Sequence, residues 1–213
     1  KKVQLQYVDG LPTIICPPTV NTNTDPGVCS AGSVALGTPT GTDNCTGVVY
    51  TNDAPGTFLI GSSVVVWTAT DVINQSATCE QTVVVSDAEA PVVTCPADQT
   101  ISINGICSTT IGNWTPVSVD DNCTASGAIT VSQSPASTTA LYGPGDSETV
   151  TLTAEDQYAN SQFCTFIVTL NITSIPQEIC NGLDDDCDGL IDDADPSLTG
   201  QPVWYADTDG DGY

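Results

Sequence analysis

Val65-Val66-Trp67-Thr68-Ala69-Thr70-Asp71, followed eight residues on by Cys79 and then by Gln81-Thr82-Val83-Val84-Val85, is the stretch that decides the fold. Successive side chains of a strand point to opposite faces, so alternation of this kind reads as half-buried β-structure. The pattern occurs twice. Thr68-Ala69-Thr70-Asp71 returns as Thr153-Ala154-Glu155-Asp156, Cys79 as Cys164, and the strand from Gln81 to Val85 as Thr165 to Leu170. Upstream, Ile15-Cys16-Pro17 returns as Thr94-Cys95-Pro96, Val28-Cys29-Ser30 as Ile106-Cys107-Ser108, and Asp43-Asn44-Cys45 as Asp121-Asn122-Cys123. The period is about eighty residues, that of one repeated folding unit. The second copy is a few residues longer between its third cysteine and its Thr-Ala-x-Asp, where a loop absorbs an insertion.

Composition agrees with strands. The 213 residues leave room for two units of about 100 residues, each large enough for its own core. Thr, Val, Ser, Gly and Pro abound and no long run of helix formers occurs, so the chain reads as all-β with many turns. Two Lys, no Arg and no His stand against 26 acidic residues, a formal charge of −24. Such a surface repels nucleic acid and anionic membrane and makes cations the natural partners. Ten cysteines, with no C-x-x-C pair and few basic neighbours, point to disulfides in an oxidising compartment, hence a secreted or cell-surface protein. No signal peptide is visible, and no apolar run approaches the ~20 residues that span a bilayer. Without His or Arg, a candidate cysteine nucleophile or a serine in an elbow motif, the chain does not read as an enzyme.

The order Cys-Pro, Cys, Asp-Asn-Cys, a Gly-containing turn, Val-x-Trp-Thr-Ala-x-Asp and a last Cys before an alternating strand resembles the hyalin repeat (HYR) family. The resemblance covers roughly residues 12–87 and 91–171. It implies tandem immunoglobulin-like β-sandwiches in extracellular arrays, with adhesive or spacer roles and without catalytic residues. The expected organisation is residues 1–10 as the last strand of a preceding repeat, 11–88 and 89–173 as two sandwiches, and 174–213 as an acidic module. In the first segment Val3, Leu5 and Tyr7 alternate with polar residues. Trp67 and Trp114 are expected in the cores, where large aromatics dominate.

Four cysteines per repeat allow three pairings. First-to-third and second-to-fourth is the expectation, Cys16–Cys45 with Cys29–Cys79 and Cys95–Cys123 with Cys107–Cys164. The reason is that Cys16 opens the first strand while Cys45 follows the second. Between the repeats, Ser86-Asp87-Ala88-Glu89-Ala90-Pro91 is an acidic joint that could share a cation with Asp120, Asp121 or Asp156. The alternative is that these residues only form turns and keep the surface soluble.

The tail carries the chemistry. Asp184-Asp185-Asp186-Cys187-Asp188-Gly189-Leu190-Ile191-Asp192-Asp193-Ala194-Asp195 has the register of a calcium loop. Asp184, Asp186 and Asp188 take positions 1, 3 and 5, and Gly189 makes the turn. Leu190 offers a backbone carbonyl at position 7, and Asp192 and Asp195 stand at positions 9 and 12. An EF-hand ends on a bidentate Glu between long helices, whereas this loop ends on Asp195 and runs into Pro196. It resembles instead the Asp-terminated loops of dockerins and thrombospondin type 3 repeats. A second loop opens with Asp207, Asp209 and Asp211 and is cut off at Tyr213, so the chain reads as an internal piece of something longer. The run Cys180-Asn181-Gly182-Leu183-Asp184-Asp185-Asp186-Cys187-Asp188-Gly189, with Trp204-Tyr205-Ala206-Asp207 beyond it, closely resembles the MopE-like metal-binding motif of secreted bacterial surface proteins. A local Cys180–Cys187 disulfide would close over the first loop. Copper on the cysteines is the competing use, but His and Met are lacking, and hard oxygen ligands point to Ca2+.

The resulting expectation is a non-catalytic extracellular stalk or fibre segment for cell adhesion, stapled by disulfides and rigidified by calcium. Its partners are neighbouring repeats of the same chain or fibre, with a surface glycan or protein ligand left open. The alternative is a set of accessory carbohydrate- or protein-binding modules of a larger secreted enzyme.

Overall fold

A computed structural model describes residues 9–191 and 194–198. Residues 1–8 of the strand expected over 1–10, and the predicted ligands Asp192, Asp207, Asp209 and Asp211, lie outside the described residues. In chain order the strands are β1 (Val20–Asn23), β2 (Ser30–Gly32), β3 (Val49–Asn52), β4 (Thr57–Leu59), β5 (Gly61–Thr70), β6 (Ser76–Ser86) and β7 (Val92–Thr94). They continue as β8 (Gln99–Ile103), β9 (Ser108–Thr110), β10 (Ser118–Asp120), β11 (Thr130–Ser134), β12 (Ala140–Tyr142), β13 (Ser147–Glu155) and β14 (Ser161–Ile172). A short 3-10 turn spans Ser126–Ala128.

The chain divides into two compact units. The first takes in the chain up to Pro91 together with Asp120–Ile129 and Glu155–Ser161; the second takes in Val92–Val119, Thr130–Ala154 and the chain from Gln162 onward. Both are immunoglobulin-like sandwiches, and the architecture is all-β.

In the first unit a four-stranded sheet in the order β1-β6-β5-β3 faces the pair β2-β4. The antiparallel β5–β6 register sets Trp67 opposite Cys79 and Val65 opposite Gln81. Alternation sends Val65, Trp67 and Ala69 inward from β5, and Gln81, Val83 and Val85 from β6; Ala31 of β2 and Phe58 of β4 close the core from the other side. Gln81 is the polar residue on that face. Its Oε1 accepts from Trp67 Nε1 at 2.8 Å, and its Nε2 donates to the Pro18 and Leu36 carbonyls at 2.7 and 2.8 Å. A buried amide is tolerated when its hydrogen bonds are made, and here they lace three segments together.

The second unit repeats the plan, with the sheet β11-β13-β14-β8 and the small pairs β9-β12 and β7-β10. Val150, Leu152, Phe166, Val168 and Leu170 alternate into a core shared with Ile111 and Leu141. Trp114 packs edge-on against Phe166, with ring centroids 5.4 Å apart.

The Thr-Ala-x-Asp signature marks the turn between the two long strands of each sandwich. Asp71 Oδ1 accepts from the Ile73 and Gln75 amides, and Asp156 Oδ1 from those of Tyr158 and Asn160. The last turn residue is left-handed in both, Asn74 at φ 66° and Ala159 at φ 68°. A carboxylate that closes its own turn explains why aspartate follows the strand.

The disulfides correct the expected pairing. First pairs with fourth, Cys16–Cys79 and Cys95–Cys164, with Cα atoms 5.8 and 5.6 Å apart. The cause is a parallel register the sequence does not display. Val20 of β1 stands beside Val83 of β6, and Cys16 and Cys79 each lie four residues before those partners. Gln99 stands beside Val168 in the same way, four residues after Cys95 and Cys164. The second cysteines leave their own repeats: Cys29 joins Cys123 and Cys107 joins Cys187. The expected Cys180–Cys187 bridge is therefore also replaced. Cys187 is buried within the second core while Cys180 is exposed. Cys45 remains a thiol.

Candidate metal centre

Among the described residues after Ser174 the acidic loop forms no strand, and it is held by what it attaches to. Cys187, at φ 66°, turns its side chain into the second core and is bridged there to Cys107, 80 residues earlier. Three residues upstream, Asp184 Oδ2 accepts from the Tyr142 hydroxyl at 2.7 Å and from the Gly189 amide at 3.0 Å. Gly189 has φ 90°, a conformation that strains any residue with a Cβ, so the glycine the motif demanded is used for the turn. One covalent and one polar anchor thus hold the loop against β12.

Within the loop the carboxylates fall into two groups that share Asp186. One oxygen from each of Glu178, Asp184 and Asp186 lies within 4.8 Å of the others, and the same holds for Asp186, Asp188 and Asp195. Asp184 Oδ1, Asp186 Oδ1 and Asp195 Oδ2 are buried and accept no hydrogen bond. Their second oxygens hold the loop: Ser197 Oγ donates to Asp186 Oδ2, and the Ser197 amide to Asp195 Oδ1 at 2.6 Å. Asp188 Oδ1 accepts from the amide of Leu190, whose side chain is half-exposed. Asp185 Oδ2 accepts from Asn181 Nδ2 at 2.9 Å, and the Asp185 amide donates to Glu178 Oε2 at 2.8 Å.

The electrostatics follow from these contacts. The Tyr142 hydroxyl is the largest influence on Asp184 and holds its carboxyl below the usual carboxylate range; burial opposes it, and the Gly189, Cys187 and Asp188 amides add to it. The same hydrogen bond, then burial and the Asp184 charge, push the Tyr142 phenol up. Like-charged oxygens this close repel unless a cation or protons intervene, and beyond Lys1 and Lys2 the chain has no basic side chain to supply. Hard oxygens at this spacing suit calcium, which takes 6–8 of them in flexible geometry.

Of the predicted ligands, Asp184, Asp186, Asp188 and Asp195 are brought together, and Leu190 sits in the loop beside them. Sequence reasoning missed Glu178, fully buried and six residues ahead of Asp184. It also missed Tyr142 and Ser197, which orient the ligand carboxylates. Neither Glu178 nor Tyr142 carried a signal, because only the fold buries Glu178 and brings both residues to the loop.

Among solved structures, Drosophila N-cadherin EC1-4 is similar at 15% identity and a TM-score of 0.44, covering 76% of this chain and 50% of that one. Human protocadherin-24 EC1-2 is similar at 12% identity and a TM-score of 0.40, covering 80% of this chain and 100% of that one. Protocadherin gamma B2 domains 3-6 is similar at 15% identity and a TM-score of 0.39, covering 76% and 50%. The chain spans about half the length of the four-domain structures among these. No helix among the described residues is long and apolar enough to cross a membrane. The HYR domain family model matches residues 86–170. Residues 86–170 are thus similar to an HYR domain, and the Cys95–Cys164 bridge staples the β-sandwich there, a combination that fits an extracellular adhesion-type module.

Proposed function

We propose that the chain is a non-catalytic extracellular structural and adhesive segment, a piece of a stalk or fibre whose sandwiches are stapled by disulfides and whose acidic tail is folded and stiffened by calcium. The observation that carries this reading is Asp186, shared by two carboxylate groups in which three buried oxygens accept no hydrogen bond. The proposed ligands of the first loop are Asp184, Asp186, Asp188, the Leu190 carbonyl, Asp192 and Asp195, with Glu178 added by the fold. Asp207, Asp209 and Asp211 open a second loop of the same kind. Neutralising these carboxylates removes self-repulsion, and a ligand that binds only the folded form stabilises it by mass action. The Cys107–Cys187 bridge passes that order directly into the second core.

Limited proteolysis tests the proposal. In calcium the segment after Ser174 is expected to resist cleavage, and in chelator, or in Asp186→Ala with Asp188→Ala, to be cut at least tenfold faster. Equal cleavage rates with and without calcium would show that the tail is a solvated acidic linker.

A further inference from the structure

A third group of carboxylates lies in the first unit, far in sequence from the acidic loop. Asp87 follows β6, Asp121 follows β10, and Asp156 follows the long strand β13; one oxygen from each lies within 4.8 Å of the other two. Asp87 is 7% exposed and Asp156 6%. Asp87 Oδ2 and Asp121 Oδ1 are buried and accept no hydrogen bond.

Each aspartate has its other oxygen engaged, which fixes its direction. Asp87 Oδ1 accepts from the Glu89 amide at 3.1 Å and from Thr24 Oγ1 at 3.5 Å. Asp121 Oδ2 accepts from the Cys123 and Thr124 amides at 2.8 and 2.7 Å. Asp156 Oδ1 closes its turn as described, and its Oδ2 accepts from Asn160 Nδ2 at 2.8 Å. Two orphaned oxygens on buried, like-charged groups are costly in the absence of a cation. The Cys29–Cys123 disulfide pins the Asp121 loop in place. The device recurs in the first copy of the repeat. Asp9, Asp43 and Cys45 offer one ligand atom each within 4.8 Å, Asp9 Oδ1 and Asp43 Oδ1 are again orphaned, and Asp43 Oδ2 again caps a cysteine amide, that of Cys45. In both copies the aspartate of the Asp-Asn-Cys motif keeps its Oδ1 unpaired.

We propose that Asp87, Asp121 and Asp156 form a calcium site in the first unit, independent of the acidic loop. It ties the chain end of β6 to the loops after β10 and β13. Calcium fits better than magnesium, because the three carboxylates come from separate segments and form an open set that a flexible 6–8-coordinate ion can complete with water, whereas magnesium demands near-ideal octahedral geometry.

Calorimetric titration of the full chain with calcium, in the Asp186→Ala with Asp188→Ala background, tests the site. That background is expected to keep a calcium-binding event that Asp121→Asn weakens at least tenfold, with magnesium failing to substitute. The carboxamide oxygen retained in Asn keeps the Cys123 and Thr124 caps. Asp156→Asn, which keeps the Tyr158 and Asn160 amide bonds on Oδ1 and gives up only the one from Asn160 Nδ2, is expected to weaken the same event and serves if Asp121→Asn misfolds, as judged by circular dichroism in chelator. Calcium binding unchanged in both Asn variants, or absent from the background protein, would overturn the proposal. The tail reading fails separately, if Asp186→Ala with Asp188→Ala binds as much calcium as the parent.

Discussion

Replacing both cysteines of the first-to-fourth bridge, Cys16→Ala with Cys79→Ala, tests the stapling of the first sandwich. The bridge closes 63 residues. Chain-entropy reasoning for a loop of that length gives a destabilisation of about 4 kcal/mol, since removal returns that freedom to the unfolded state. Both cysteines are half-buried against Val83 and its neighbours in the core, so the lost sulfur contacts act in the same direction. A domain typically has about 5–15 kcal/mol in all, and a unit of this size moves about 4–8 °C per kcal/mol, so the first unit should melt about 15–30 °C lower. In urea, at a slope of about 2 kcal/mol/M, the midpoint falls by about 2 M. Denaturation followed by circular dichroism and tryptophan emission reads both, and Trp67, directly opposite Cys79, reports on this unit. Cys95→Ala with Cys164→Ala, closing 69 residues, should cost the second unit nearly the same. A loss below about 1 kcal/mol in the first unit would refute the claim that long-range closure by this bridge holds the sandwich.

Gln81→Leu strands the Trp67 indole N–H and the Pro18 and Leu36 carbonyls; at roughly 1–3 kcal/mol per stranded buried group, denaturant midpoints should fall further than for an ordinary surface change. In metal-free protein, Tyr142→Phe removes the main influence holding the Asp184 carboxyl low, so its titration by NMR should move up toward the ordinary range. Because the folded value is depressed, the Asp184 contribution to stability is present above the ordinary carboxylate range and disappears as pH falls through the depressed value; Tyr142→Phe should flatten that acid limb. Alkylation of the unreduced, denatured chain should label Cys45 and spare the eight bridged cysteines. In the native protein Cys45 should react more slowly than glutathione at neutral pH, because a hydrogen bond with Asp9, then burial and the charges of Asp9, Asp43 and Asp71, push its thiol up.

What could be read from the chain was local. Alternation in Gln81 to Val85 and Thr165 to Leu170 placed strands that became parts of β6 and β14, and Thr-Ala-x-Asp marked a turn whose aspartate closes it. The disulfide partners could not be read, because they depend on a parallel pairing of β1 with β6 and β8 with β14. An antiparallel reading of Cys16 and Cys45 was the natural local inference, and it failed for that reason. The acidic loop is intermediate. Its internal spacing announced Asp184, Asp186, Asp188 and Asp195, but Glu178 and Tyr142 reach it only through the tertiary fold. For the joint at Asp87 the sequence offered Asp120, Asp121 and Asp156 as companions, and only the fold selects Asp121 and Asp156 from among them.

Thermal unfolding of the chain in excess calcium, in excess magnesium and in chelator tests the central claim most directly. At calcium about 100-fold above its dissociation constant, mass action adds about 2.7 kcal/mol, or about 10–20 °C for a unit of about 100 residues. The account predicts a rise of that size in calcium, little in magnesium, and a reduced rise in Asp186→Ala with Asp188→Ala. Coincident curves in calcium and chelator would contradict it.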